Sequence, residues 1–153
     1  MIKAVLFDID GVIIRHKDYF WNSLSSDKYN DPSSILAQLY KSDDNRRCDK
    51  GEMSILEYIQ PFLKNIKWDK SIEEYLNQQY SYESQFIDNE LLERIRNINN
   101  CGVRTIIASN QNQYRKKYLI STLNSKNEFS DHYFSSDIGY VKSENEYWEY
   151  CYT

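Results

Sequence analysis

Apolar positions fall into two patterns along the chain: short unbroken runs, and residues recurring at helical spacing. The run Ala4 to Phe7 predicts a strand buried on both faces of a sheet. From Ile13 to about Phe86 the pattern is helical with polar faces. Asp31-Pro32 reads as an N-cap followed by proline at the first helical position, opening a helix over Ser33 to Tyr40. Lys41 to Lys50, with Asp43, Asp44, Arg46 and Arg47, reads as a charged, exposed connection. After Gly51, Ser54-Ile55-Leu56-Glu57 is a capping box that starts an amphipathic helix, and Pro61 should kink it or restart it near Gln60. Ser71-Ile72-Glu73-Glu74 repeats the capping box ahead of Tyr75 and Leu76. Asp88 or Asn89 then caps a helix with Leu91, Leu92, Ile95 and Ile98 on one face, and Gly102 closes it. A second apolar run, Val103 to Ala108, ends in Ser109-Asn110-Gln111. A helix over Gln113 to Leu123, a weak strand around His132 to Phe134 and a helix opening at Glu144 to Tyr152 complete the series.

Strands alternating with helices predict an α/β fold with a parallel sheet and right-handed crossovers. Residues 1–13 and 88–153 form the sheet-bearing core in this reading, and 14–87 are a helical insertion after the first strand. Ligands of such sheets collect at the carboxyl ends of the strands. Asp8, Asp10, Ser109 and Asn110 all lie there. Side chains two apart on extended backbone share a side, so Asp8 and Asp10 project into one small volume. Two carboxylates beside an apolar strand are costly unless a cation lies between them. Gly11 permits a sharp turn and close approach to a ligand.

Composition narrows the partners. The chain has 153 residues, room for one ordinary domain, and its net charge of −4 comes without a basic stripe, which argues against nucleic acid. It offers neither a membrane-length apolar run nor a signal-peptide pattern, and the expected location is the cytoplasm. Cys48, Cys101 and Cys151 are odd in number and lack CxxC spacing, which fits free thiols rather than a zinc site. Taken singly, Ser109-Asn110 is most simply a helix N-cap and Lys142 a surface lysine. The tyrosines and Trp21, Trp68 and Trp148 read as packing residues. Neither His16 nor His132 is given a catalytic role.

Three separated pieces change that picture when taken together: Asp8-x-Asp10-Gly11-Val12, Ser109-Asn110, and Lys142 after Ser135 to Val141. Their order resembles the haloacid dehalogenase-like (HAD) superfamily of phosphohydrolases. The resemblance implies a Rossmann-like core with a helical cap inserted at 14–87. Gly51-x-x-Ser54-x-x-Glu57-Tyr58 is similar to the cap of the branch that includes sugar-phosphate phosphatases. It further implies Asp8 as nucleophile, Asp10 as general acid and base, and Mg²⁺ held at Asp8 and Asp10. Gly11, Ser109, Asn110 and Lys142 would bind the phosphate of a small phosphorylated metabolite, with Ser109 and Lys142 also serving the chemistry. Family members that cleave carbon–halogen bonds lack an acid two residues after the nucleophile, so Asp10 favours phosphate esters. The family's fourth, acidic motif and its last core strands have no counterpart before Thr153, and Ser143 stands where proline is common. The expectation is therefore weakened Mg²⁺ binding, impaired turnover, and a bare edge on the first strand that a homodimer would cover. Two rivals are a catalytically inactive HAD-fold binding protein and a phosphoacceptor signalling domain.

Overall fold

The computed structural model describes residues 2–123 and 128–152. Strands β1 (Ala4–Phe7), β2 (Arg104–Ser109) and β3 (Asp131–Phe134) form a parallel sheet in the order β1-β2-β3. Ala4 pairs with Arg104 and Phe7 with Ile107, while Ile106 pairs with Asp131 and Ser109 with Phe134. Between β1 and β2 run α1 (Pro32–Leu36), α2 (Asp43–Asp49), α3 (Ile55–Asn65), α4 (Ile72–Ser84) and α5 (Asn89–Asn100). α6 (Gln113–Leu123) links β2 to β3, and α7 (Ser135–Ile138) and α8 (Asn145–Tyr152) follow. Short 3-10 turns lie at Phe20–Ser23 and Leu39–Lys41. The helix starts are local chemistry. Ser54, Ser71 and Asp88 accept hydrogen bonds from the amides of Leu56, Glu74 and Leu91, which satisfies donors that the first turn leaves open.

Several elements differ from the sequence reading. The strand buried on both faces is β2, whose Thr105 to Ser109 are all buried; β1 lies at the sheet edge with Leu6 38% exposed. An apolar run marks a strand but not its place in the sheet. The helix expected over Ser33 to Tyr40 stops at Leu36 and resumes as the 3-10 turn at Leu39–Lys41. The Lys41 to Lys50 stretch is not a connection. It contains α2, capped by Ser42 accepting from Asn45 N, with Asp43 and Asp44 in the first turn and Cys48 buried. Pro61 neither kinks α3 into two elements nor restarts it. Proline removes the helical partner of the Glu57 carbonyl, and both residues face solvent, where water can satisfy it. The short helix α7 has no forewarning in the pattern.

Two apolar clusters form. One gathers Trp21, Leu36, Ile59, Ile66, Tyr75 and Leu76 from α1, α3, α4 and the preceding turn. The other gathers Ile9, Ile13, Leu92, Ile95, Ile107 and Phe134 around the sheet. Ile14, on the boundary, pairs antiparallel with Ile87, so the chain leaves and re-enters the sheet region side by side. Tyr114 and Tyr118 of α6 pack onto the first cluster and join it to the second. No described helix is long and apolar enough to cross a membrane.

Candidate active site

The carboxyl ends of β1 and β2 open toward the first cluster, and the polar residues beyond them form one connected network. Asp8 follows directly on β1. One of its oxygens accepts from Ile9 N at 2.8 Å and the other forms an ion pair with Lys142 Nζ. Lys142 arrives there because its amide donates to Asn110 Oδ1 at 2.9 Å, which ties the segment after α7 to the end of β2. Trp148 of α8 donates to the Lys142 carbonyl at 2.8 Å and fixes it from the other side. The three separated sequence pieces thus meet at one place.

Asp10 faces the next residue along, Gln111. Gln111 Nε2 donates to Asp10 Oδ2 at 2.9 Å and to Ser109 Oγ at 3.0 Å, so the second carboxylate and the strand-end hydroxyl are coupled through one amide. Ser109 is 1% exposed, a buried hydroxyl occupied by Gln111. Gly11 takes φ +80°, a left-handed turn with open space around it. Sequence reasoning missed three partners of Asp10. Arg115, one turn into α6, grips both oxygens at 2.7 Å each; His16 Nε2 lies 2.9 Å from Oδ1; Gln111 supplies the third contact. Arg115 Nη1 also donates to Gln111 Oε1 at 3.1 Å, across the start of α6. No signal in the sequence marked Arg115 or His16.

Electrostatics set the state of Asp10. Enclosure raises its pKa, but the Arg115 charge and the hydrogen bonds from His16, Arg115 and Gln111 outweigh that and hold the carboxyl well below the ordinary range. Arg115 is also 2.9 Å from Glu83 of α4, so one guanidinium joins Asp10 to the helical block. Asp49, at the end of α2, shows the opposite balance. Burial lifts it to about 6, Arg115 opposes this and Asp10 adds to it. A cavity of about 130 Å³ lies between these groups, with Asp10, Asn110 and Arg115 on one wall and Tyr40, Asp49 and Gln79 on the other. Glu144 is held by Lys50, Arg46 and the Val141 amide.

The donor set suits one hard cation only in company. Among the described residues no three His, Cys, Asp or Glu side chains converge as a ready-made metal cage. Magnesium is commonly held by one or two carboxylates with substrate phosphate and water. The Asp8 carboxylate at the end of β1, with a phosphate and water, is a donor of that kind.

A short parallel sheet with polar residues at its strand ends, and a run of helices between its first two strands, is a fold this chain shares with solved structures described as haloacid dehalogenase-like (HAD) enzymes. No family model and no curated protein matches its sequence. Solved structures match its fold. A HAD family enzyme from Bacteroides thetaiotaomicron, BT-2542, superposes with a TM-score of 0.72 at 16% identity over 98% of this chain and 76% of that one. The same enzyme in complex with magnesium and inorganic phosphate gives 0.71 at 17%, over 99% and 77%. A HAD-like family hydrolase from Porphyromonas gingivalis gives 0.60 at 17%, over 99% and 75%.

Proposed function

We propose that the protein is a Mg²⁺-dependent phosphomonoester hydrolase in which Asp8 becomes transiently esterified by the phosphoryl group. The observation that carries this reading is the Asp8–Lys142 ion pair at the end of β1, beside the polar end of β2. In the first step an Asp8 oxygen attacks phosphorus, the bond from phosphorus to the alcohol oxygen breaks, and that oxygen takes a proton from Asp10. In the second, water attacks the same phosphorus, gives its proton to Asp10, and Asp8 departs as carboxylate. Asp10 must exchange its contacts with Arg115 and His16 for a proton before the first step, which makes separation of these groups part of substrate entry. Lys142, Asn110 and Ser109 offset charge on the phosphoryl oxygens, and Gly11 leaves the backbone open to them. Magnesium, held by Asp8 and the Asp10 carbonyl, would neutralise the phosphate and hold it against the nucleophile. A relative of the same fold that carries magnesium and phosphate supports this choice of ion.

In this reading residues 14–87 act as a cap over the core at 1–13 and 88–153, and the substrate is a small phosphorylated metabolite, a sugar phosphate among them. Three free cysteines and a net charge of −4 support a cytoplasmic protein without a nucleic-acid partner. The test is hydrolysis of 4-nitrophenyl phosphate with Mg²⁺. Asp8→Asn should lower the rate at least about 10³-fold, as loss of a nucleophile does. Equal rates would instead favour a noncatalytic binding protein, the reading to which the committed Asp10–Arg115 pair lends weight.

A further inference from the structure

Asp10 and Arg115 also line a second, roomier cavity of about 480 Å³, a volume in the range of small-molecule sites. Its wall is aromatic. Tyr19 and Trp21 stack with centroids 4.5 Å apart and planes within 5°, and Trp21 lies 5.4 Å from Tyr40. Tyr19 and Tyr40 are each 53% exposed, so flat apolar faces are left to water beside the reacting groups.

The polar groups around this cavity are engaged with one another. Asp10 is held by Arg115 and His16, and Glu83 by Arg115 and Gln79. A hydroxyl-rich leaving group would find those side chains already paired, with the Lys41 ammonium and the Tyr19 hydroxyl left to it. A cationic alcohol would meet both Arg115 and Lys41, whose ammonium has no ion-pair partner among the described residues. Most of the surface lining the cavity is apolar, and a ring covers ring surface best: offset or edge-on aromatic contacts add attraction beyond area burial.

We propose that this cavity receives the aromatic ring of the leaving alcohol, so that the substrate is a phosphomonoester of an aromatic alcohol. The inference rests on the phosphatase reading above and narrows its substrate class. Asp10, on the cavity wall, is then placed beside the ester oxygen while the ring lies against Tyr19, Trp21 and Tyr40.

Benzyl phosphate and cyclohexylmethyl phosphate test it. Both release a primary alcohol of similar size, and they differ in the ring's π-system. The wild-type protein should show about tenfold higher kcat/KM for benzyl phosphate; parity overturns the assignment. Tyr19→Leu and Tyr40→Leu keep apolar bulk and remove the ring, and in variants with native circular dichroism the ratio should fall toward one. An unchanged ratio overturns it as well. If no phosphate ester is hydrolysed, the phosphatase reading fails separately. The cavity is then tested by binding of benzylphosphonate against cyclohexylmethylphosphonate in the presence of Mg²⁺, read by tryptophan fluorescence with Trp21→Phe as the control. About tenfold tighter binding of the aromatic ligand, lost from the signal in Trp21→Phe, supports the site; equal or absent binding overturns it.

Discussion

Arg115 satisfies two carboxylates at once, Asp10 and Glu83, and its own side chain is only 14% exposed. Arg115→Ala would leave both acids without that cation in a partly desolvated place, and should lower stability by about 2–4 kcal/mol in urea denaturation. The same pair makes an acid-dependent contribution. Asp10 has a folded pKa below its unfolded value of 3.8, so its stabilisation is complete above about pH 4 and drains away as pH falls toward the folded value. The variant should lose that acid limb. Asp49 has the opposite sign: its folded value is raised to about 6, so the folded state holds a proton that the unfolded chain has already released. Its contribution is therefore present below about pH 4 and lost as pH rises through 6. Asp49→Asn should be more stable than wild type by about 1–2 kcal/mol at pH 8, a gain that vanishes near pH 4 in thermal unfolding. At this scale the sequence revealed the residues whose spacing is local. Asp8 and Asp10 announce themselves two apart after an apolar run. Arg115 and His16 do not, because their meeting at Asp10 depends on how α6 and the turn after Gly11 come together.

Elements were legible where a cap and a face coincide. The starts at Ser54, Ser71 and Asp88 are written in side chains that close on their own amides, and α6 follows its expected bounds. α2 was hidden because charged residues fill most of it and Cys48 alone is buried, which leaves no apolar period to read. α7, at four residues, is shorter than any period. The loop after α2 shows how such elements are held. Gly51 has φ +75°, and a Cβ there would stand 2.8 Å from the Ser136 carbonyl oxygen at α7. Nearby, Ser135 Oγ donates to the Asp49 carbonyl at 2.5 Å and accepts from Gln111 N at 2.9 Å, so α2, the end of β2 and α7 share one hydroxyl. Gly51→Ala combines backbone strain with a clash against main chain, and should cost about 2–3 kcal/mol in a denaturant titration.

At the scale of the molecule, β1 pairs with β2 on one side and with no strand on the other among the described residues, and Ile2 is 71% exposed next to it. An unpaired strand edge is a template for another strand, and a second copy of the chain is the occupant we propose. Light scattering should then report twice the monomer mass, reduced to one by Leu6→Lys; a wild-type monomer ends the dimer proposal. The α/β alternation and the order of the sheet's polar endings were readable in the sequence, because periodicity and strand-end chemistry are both local. Which strand sits in the middle was not, since the wholly apolar run Ala4 to Phe7 is the outer strand while the central one carries Arg104 and Thr105.

The register of β1 on β2 also governs the order in which the chain can assemble. Ala4 lies against Arg104, so β1 has no described strand partner until some hundred residues later in the chain. Closing so long a loop is slow, whereas the contacts among α1, α3 and α4 are short-range and have an apolar cluster of their own. During synthesis the helical block can therefore gather while β1 waits, its apolar residues open to chaperones and to neighbouring nascent chains.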